Sequence, residues 1–174
     1  MKIALLNDTH FGARNDSLIF DDYFHKFYND IFFPYLKEHN IKTLIHLGDI
    51  VDRRKFINYR TAHNFRHKFE EPKVVDFDGT KILMLPWINP ENEAESLEIC
   101  KTAEADICMG HLDLNGFRMM DSMVQTHGYD KSIVQRFEKT YSGHFHHKND
   151  DGQIFYLGSQ YEMTWSDYNN QKGF

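Results

Sequence analysis

Four short polar motifs, each directly after an apolar run of strand-like length, constrain the fold more than any other feature of this chain. They are Asp8-Thr9-His10, Gly48-Asp49, Gly110-His111 and Gly143-His144-Phe145-His146. In open α/β sheets, the loops that follow the carboxyl ends of the strands collect at one edge of the sheet. The repeated order of apolar run and polar motif therefore predicts an α/β fold in which four loops converge on one site.

The residue types in these loops are those that bind metal ions, since neutral imidazole is the commonest metal ligand in proteins. His144 and His146 are one residue apart, and both can face one cleft if the backbone turns there. With Asp52 added, the loops hold three carboxylates and four imidazoles, which predicts a centre for two metal ions: Asp8, Asp49, Asp52, His10, His111, His144 and His146.

Length and composition predict one folded domain. The chain has 174 residues, of which 41% are hydrophobic and 15% aromatic, and this suits a packed core better than a disordered tail. No apolar run approaches the roughly 20 residues that cross a bilayer. Met1-Lys2 leads straight into an apolar run rather than a signal peptide. We therefore expect a cytoplasmic protein that does not contact membranes.

The formal net charge of −6 argues against a large basic surface for nucleic acid. It does not exclude a nuclease, because several of the acids belong to the predicted metal centre, where bound cations would invert the local field. The basic stretch Arg53-Arg54-Lys55 directly follows the Asp49 loop and could meet phosphates. A solvated helix face is the alternative interpretation of these residues.

The apolar pattern also predicts the elements between the motifs. Strands are expected over 2–7, 43–47, 107–109 and 153–157, a long helix from Phe20 to Tyr35 with a bend at Pro34, and helices over 58–69, 90–102 and 130–140. Asn89 is the expected cap of the helix over 90–102. A hairpin with an Asp78-Gly79 turn is expected over 74–85, and loops over 11–17 and 112–129.

The motifs resemble four of the five signature blocks of the calcineurin-like metallophosphoesterases. Further details resemble the SbcD-like DNA repair nucleases, and within them the recombination endonuclease subunits of T-even-type phages: Gly48-Asp49-Ile50-Val51-Asp52-Arg53-Arg54-Lys55, Val75-Asp76-Phe77-Asp78-Gly79, Pro86-Trp87, Gly110-His111 with Leu114-Asn115-Gly116, Ser142-Gly143-His144-Phe145-His146 and Gly158-Ser159. The resemblance covers nearly the whole chain. It implies a four-layer αββα sandwich over residues 1–174.

The resemblance also implies roles for the site residues. One ion would be held by Asp8, His10 and His146 and the other by His111 and His144, with Asp49 bridging the two. The ions would be two divalent metals, for which the nuclease branch suggests Mn²⁺. Asp52 would orient His10 or a water molecule, although a helix cap is the plainer interpretation of this residue.

One block of the family pattern is missing. A Gly-Asn-His-Asp sequence should lie between the Asp49 loop and the hairpin, but Phe69 is followed by Glu70-Glu71-Pro72-Lys73. An Asn ligand and the family's catalytic His would be lost with it, together with one strand of the sheet. The expectation is therefore a domain that is internally deleted near residues 69–70 and truncated before a cap domain.

The resemblance implies a DNA exonuclease and endonuclease that works in a recombination or repair complex. Its partners would be DNA, an SMC-like ATPase subunit and a second copy of the chain in a homodimer, in the host cytoplasm if a phage encodes the protein. Two alternatives stay open: a phosphoesterase that acts on a small molecule, because a metal centre alone does not select a substrate, and a catalytically silent scaffold subunit that lacks the Asn-His block.

Overall fold

The computed structural model describes residues 2–52, 71–120 and 123–174. The strands in these residues are β1 Ile3–Leu6, β2 Thr43–His46, β3 Lys73–Phe77, β4 Thr80–Leu85, β5 Ile107–His111, β6 Arg118–Met120, β7 Met123–Val124, β8 Lys139–Gly143, β9 Asn149–Asp150 and β10 Ile154–Tyr156. The α-helices are α1 Ala13–Asp16, α2 Leu18–Lys26, α3 Phe33–Glu38 and α4 Glu93–Thr102. A π-helix, Phe27–Phe32, joins α2 to α3, and 3₁₀ turns lie at Lys131–Val134 and Trp165–Asp167.

The fold is mixed α/β, as the sequence predicts. A six-stranded sheet has the order β3-β4-β5-β8-β10-β9, in which β4, β5, β8 and β10 are parallel and the outermost pairs are antiparallel. The strands β1 and β2 form a separate parallel pair, and β6 with β7 forms a small antiparallel ribbon. The predicted hairpin is β3-β4, and the predicted strand, helix, strand crossover connects β1 to β2.

Alternation along the central strands divides the apolar side chains between two clusters. On β4 and β5, Ile82 and Met109 pack with Ile45 and Leu47 of the β2 region. Their chain neighbours point to the opposite face of the sheet, since successive side chains of a strand alternate. That face packs against Cys100 and Ala103 at the end of α4, in the cluster that also holds Leu83 and Cys108.

The sequence spacing predicts a packing face of the long helix, and the structure confirms it in part, because Ile31 and Tyr35 are exposed while Phe20, Phe24 and Phe27 pack inward. Phe24, Tyr28 and Phe32 are buried at a spacing of four residues against Leu6 of β1 and Tyr161. The bend that Pro34 predicts takes the form of the π-helix that ends just before α3. Proline has no N–H for the carbonyl four residues earlier and its ring crowds that carbonyl, and a wider turn relieves both problems.

Three of the expected elements are wrong in extent. The loop over 11–17 contains α1, and the loop over 112–129 contains the β6-β7 ribbon. The helix expected from Pro90 begins at Glu93, because Asn89 forms a turn with Glu91 instead: its Oδ1 accepts a hydrogen bond from the Glu91 N–H at 2.8 Å, while Asn92 is the residue before the helix.

The helix expected over 130–140 is a single 3₁₀ turn, Lys131–Val134, followed by β8. The Gln153 side chain explains this early end. Its Nε2 donates to the carbonyls of Val134, Gln135 and Phe137 at 3.1, 3.1 and 2.6 Å, so these groups find partners outside a helix.

Several expectations lie outside the described residues. They are the helix over 58–69, the basic stretch Arg53-Arg54-Lys55 and the junction at 69–70. Within the described ranges, no helix is both long enough and apolar enough to cross a bilayer.

Candidate metal centre

The structure brings all four motif loops to one place. Asp8 follows β1 and Asp49 follows β2, and the two loops are joined because Gly48 O accepts from the Asp8 N–H at 2.9 Å. His111 ends β5, and His144 and His146 follow the adjacent strand β8. Parallel pairing within each pair of strands explains why their carboxyl ends lie side by side.

The carboxylate of Asp8 lies at the middle of the site and is fully buried. Its Oδ1 is 3.8 Å from His10 Nε2, 3.7 Å from His111 Nε2 and 4.0 Å from His146 Nε2. Asp49 Oδ2 lies 3.7 Å from His10 Nε2 and 3.5 Å from His111 Nε2. These side chains form two groups that could each hold a metal ion. The first is Asp8, His10 and His146, the second is Asp8, Asp49 and His111, and Asp8 belongs to both.

Hydrogen bonds on the outer side of the site orient these ligand atoms toward the centre. Asp8 Oδ2 accepts from the His144 N–H at 3.0 Å and from the Asn7 side chain. The Nδ1 of His111 donates to Leu47 O at 3.0 Å, so that its Nε2 faces the centre without a proton when the ring is neutral. A bond of this kind on the remote nitrogen is typical of histidines that bind metals.

Three polar atoms that face the centre have no hydrogen-bond partner in the described part of the chain: Asp8 Oδ1, His10 Nε2 and His111 Nε2. Unpaired buried polar atoms are rare in folded proteins because each costs about 1–3 kcal/mol. A cation in each of the two groups would supply the missing partners, since Asp8 belongs to both, His10 to one and His111 to the other. The donor set of imidazole nitrogen and carboxylate oxygen therefore fits a divalent ion of the Mn²⁺, Fe²⁺ or Zn²⁺ type.

The pKa values follow from the same arrangement. Burial raises the pKa of Asp8, but His10, His111 and His146 outweigh it, and the net pKa lies well below the usual range. Burial lowers the pKa of His111, but the carboxylate of Asp49, 3.5 Å from its Nε2, and the charge of Asp8 raise it above its ordinary value. The pKa of His10 is raised in the same way. The carboxylates therefore stay ionised, and protons compete with metal for the imidazoles.

The backbone is strained at four residues of the site. Asp8, His10, Asp49 and His144 have φ values of 48°, 43°, 47° and 89°, in the left-handed region that side-chain-bearing residues rarely adopt. Such conformations cost of order 1–3 kcal/mol each and cluster where function requires a particular geometry. Asp8 and His10, two of these residues, come from one loop and both face the centre.

Two residues of the predicted set lie at the edge of this arrangement. His144 belongs to neither group; its Nε2 lies 3.8 Å from Asp113 Oδ1, and its ring centroid is 5.0 Å from that of Trp87. Asp52 Oδ1 lies 3.4 Å from His10 Nδ1, which is the side of the ring away from the centre. The metal-ligating role of His144 and the orienting role of Asp52 stay predictions.

Asp167 is a residue of the site that the sequence pattern did not indicate. It is 1% exposed, and its carboxylate accepts from His146 Nδ1 at 3.2 Å and from the Thr164 N–H at 2.8 Å. Lys172 Nζ lies 3.9 Å away. A Thr at 164 three residues before an Asp is a capping-box pattern, but nothing in it shows that the chain returns to His146.

We expect Asp167→Ala to weaken metal binding about 10- to 100-fold, because His146 then loses the acceptor that sets its ring orientation and tautomer. Titration calorimetry with Mn²⁺ measures the effect. Asp130→Ala is the matched control, since Asp130 also caps a 3₁₀ turn, through Ser132 N–H at 2.8 Å. Equal metal affinity in the two variants would contradict this role of Asp167.

His46 lies behind the centre as a neutral imidazole. Its Nδ1 accepts from the Gly48 N–H at 3.2 Å, so its Nε2 carries the proton and donates to Thr9 Oγ1 at 3.1 Å. Thr9 Oγ1 in turn donates to Ile50 O at 3.0 Å. This chain of hydrogen bonds connects the Asp8 and Asp49 loops. Burial lowers the pKa of His46 from 6.5 to about 4.

The His46 shift predicts a loss of stability in acid. Because the folded state disfavours the proton, the contribution of His46 is complete above pH 6.5 and disappears as the pH falls through about 4. The shift corresponds to about 3 kcal/mol. In urea unfolding with EDTA, the free energy of unfolding of His46→Gln should fall less than that of the wild type over this pH window. Parallel pH profiles for the two proteins would show that His46 is not responsible.

No family model matches the chain. The chain is similar to exonuclease subunit 1 of Enterobacteria phage T4, with 29% identity over 220 aligned positions that take in 100% of this chain and 63% of that protein. The chain thus spans less than two thirds of the length of this relative. Because the chain has 174 residues, the relative carries residues at 46 or more aligned positions where this chain has none.

Proposed function

We propose that this chain is a two-metal-dependent phosphodiesterase that cleaves DNA. The observation that carries the proposal is the pair of overlapping carboxylate and imidazole groups around Asp8, with inward-facing atoms that lack any other partner in the described residues. A cluster of this composition at the carboxyl ends of parallel strands suits the hydrolysis of phosphate esters. The T4 relative is an exonuclease subunit, which supports a nucleic-acid substrate.

Asp8, His10 and His146 would hold one ion, and Asp49, His111 and His144 the other. Two divalent ions, for which the nuclease branch suggests Mn²⁺, would activate a water molecule and neutralise the charge on the leaving oxygen. Asp8 and Asp49 both face His10 and His111, so either carboxylate can bridge. His144 completes the set if its Nε2 turns from Asp113 toward the centre. Asp52 and Asp167 hold the remote nitrogens of His10 and His146.

The proposal includes the fold and partners that the family resemblance implies. Three apolar clusters support a four-layer αββα sandwich. In the first, α2 and the π-helix pack against β1; in the second, the β1-β2 pair packs against the large sheet; in the third, the large sheet packs against α4. The subunit name of the T4 relative supports work within a complex. We assign the chain an SMC-like ATPase and a second copy of itself as partners in the cytoplasm.

An internal deletion near residues 69–70 is also part of the proposal. The extra aligned positions of the T4 relative support it, as does β2, whose only strand partner among the described residues is β1. A two-stranded parallel sheet is unusual, since parallel sheets are normally larger and covered on both faces. Intact mass measurement tests whether the purified molecule carries additional residues: a mass above 20.7 kDa would show that it does.

A catalytically silent scaffold is the second candidate function. The missing Gly-Asn-His-Asp block favours it, because the block holds the family's catalytic His and one metal ligand. Such a subunit would bind metal and partner but would not hydrolyse DNA.

Elemental analysis of the purified chain, together with Mn²⁺-dependent cleavage of linear DNA, tests the proposal. Two bound ions and cleavage that Asp49→Ala removes are the expected results. Hydrolysis of bis(p-nitrophenyl) phosphate without any effect on DNA would assign the centre to small phosphoesters. Metal binding without hydrolysis of either substrate would favour the scaffold.

A further inference from the structure

A cavity of about 370 Å³ opens beside the candidate metal centre and shares His111 with it. Its other walls include Trp87, Asp113, His127 and Tyr129. Sites for small organic ligands have volumes of about 300 to 1,000 Å³. The cavity therefore has room for one nucleoside and none for a double helix.

Trp87 lines the cavity at the side nearest the centre. Its ring centroid lies 5.8 Å from that of His111, and 37% of the residue is exposed. The side chain of Asn92 donates to Trp87 O at 3.1 Å, which fixes the loop after β4. The indole is partly exposed and lines the cavity, and bases of any sequence stack on aromatic side chains.

Asp113 provides the polar wall of the cavity. Gln125 Nε2 donates to its Oδ1 at 2.6 Å, while its Oδ2 accepts no hydrogen bond from the described residues. The backbone around it is rigid: the Tyr129 N–H donates to Asp113 O at 2.8 Å, and a Cβ on Gly128 would lie only 2.4 Å from that oxygen. The wall is thus preformed, and Gly128 is required for its close approach.

The charge of this wall indicates which part of a nucleotide it would accept. A carboxylate repels a phosphate group, but it accepts hydrogen bonds from the exocyclic amino groups of adenine, cytosine and guanine. Cations bound around Asp8 and Asp49 would attract the phosphate on the other side of His111. A nucleotide would therefore lie with its phosphate at the centre and its base between Trp87 and Asp113.

We propose that this cavity is a nucleoside subsite, in which Trp87 stacks on the base next to the cleaved phosphate and Asp113 accepts from its amino group. The inference rests on the proposed nuclease function and deepens it. Because only one unpaired base fits, the substrate would be single-stranded or frayed DNA at that nucleotide. Thymine, which has no exocyclic amino group, would be the poorest base.

Tryptophan fluorescence tests the subsite without relying on metal or hydrolysis. The chain has two tryptophans, and the second, Trp165, is 90% exposed and outside the cavity. In a Trp165→Phe background with EDTA, deoxyadenosine should quench Trp87 emission saturably. Thymidine should bind about tenfold or more weakly, because it cannot donate an amino hydrogen to the carboxylate.

Equilibrium dialysis with labelled deoxyadenosine compares the variants. Trp87→Ala should weaken binding about 5- to 100-fold and Trp87→Phe much less, since phenylalanine keeps a ring for stacking. Circular dichroism confirms that each variant is folded. Absence of saturable binding to the wild type, or equal binding by the wild type and Trp87→Ala, would overturn the subsite.

Hydrolysis of bis(p-nitrophenyl) phosphate separates the two proposals. A chain that hydrolyses this ester and cleaves DNA but does not bind nucleosides would retain the proposed function and lose the subsite. A chain that binds nucleosides through Trp87 without hydrolysing any phosphodiester would retain the subsite and lose the nuclease function.

Discussion

Asp8→Asn is expected to remove both metal ions and to lower Mn²⁺-dependent hydrolysis at least about a hundredfold. Asp8 Oδ1 is the atom that both metal-binding groups share, and it lies within 4.0 Å of three imidazole nitrogens. An amide keeps the shape of the side chain and the contact of its other end with the His144 N–H. It removes the negative charge that a divalent ion needs at this position.

Two measurements detect the loss of bound metal in Asp8→Asn. Elemental analysis after dialysis reports the bound ions, and thermal unfolding with and without Mn²⁺ reports binding in the native state. The melting temperature of the wild type should rise with Mn²⁺ and that of the variant should not, because a ligand that binds only the folded state stabilises it.

Asp76→Asn is the matched control for Asp8→Asn. Asp76 is exposed in the β3-β4 hairpin, where its Oδ1 accepts from the Gly79 N–H at 2.8 Å, a contact that an amide oxygen can also make. This variant should retain wild-type metal content. Two ions in Asp8→Asn would show that the centre is organised by other residues.

Gly48→Ala is expected to destabilise the metal-free chain by about 2–5 kcal/mol and to weaken metal binding. A Cβ at this position would lie 2.6 Å from His111 Nδ1, and φ is +122°. Overpacking of this kind costs about 1–3 kcal/mol, and the left-handed backbone adds about 1–2 kcal/mol. Relief requires His111 to move, which would break its hydrogen bond to Leu47 O and displace its Nε2 from the centre.

Gly79→Ala distinguishes the cost of overpacking from the cost of the positive φ. Gly79 also has a positive φ, +89°, but a Cβ there would meet nothing within 4 Å. Only the backbone cost of about 1–2 kcal/mol should appear in urea unfolding of this variant, with unchanged metal affinity. If the two glycine variants lose the same free energy, the close approach of Gly48 to His111 does not determine stability.

Much of the fold could be predicted because it depends on local pattern. The alternation of apolar runs and polar motifs specified the parallel strands, and the pairing of β1 with β2 and of β5 with β8 placed Asp8 beside Asp49 and His111 beside the His144 pair. The aromatic spacing of α2 and the Asp78-Gly79 turn are equally local. In these places the residues that specify the element lie within it.

The unpredicted features depend on residues that are distant along the chain. The Gln153 side chain ended the helix expected over 130–140 by bonding its carbonyls, and Asp167 reached His146 through a fold of the segment after Ser159. The cavity beside Trp87 exists because segments around Asp113 and Gly128 pack on each other. No periodicity or motif encodes such contacts.

The sequence by itself determined which residues gather at the centre, since each polar motif follows the carboxyl end of a strand. That these strands belong to two sheets, β1 with β2 and β5 with β8, was not predicted from the order of apolar runs and motifs. Only the tertiary structure decided which atoms face one another there: that Asp8 rather than Asp49 belongs to both groups, that His144 lies by Asp113, and that Asp167 holds His146. The physical reason is that a hydrogen bond or ligand group requires positions within a few tenths of an ångström, and only the packing of distant segments determines these.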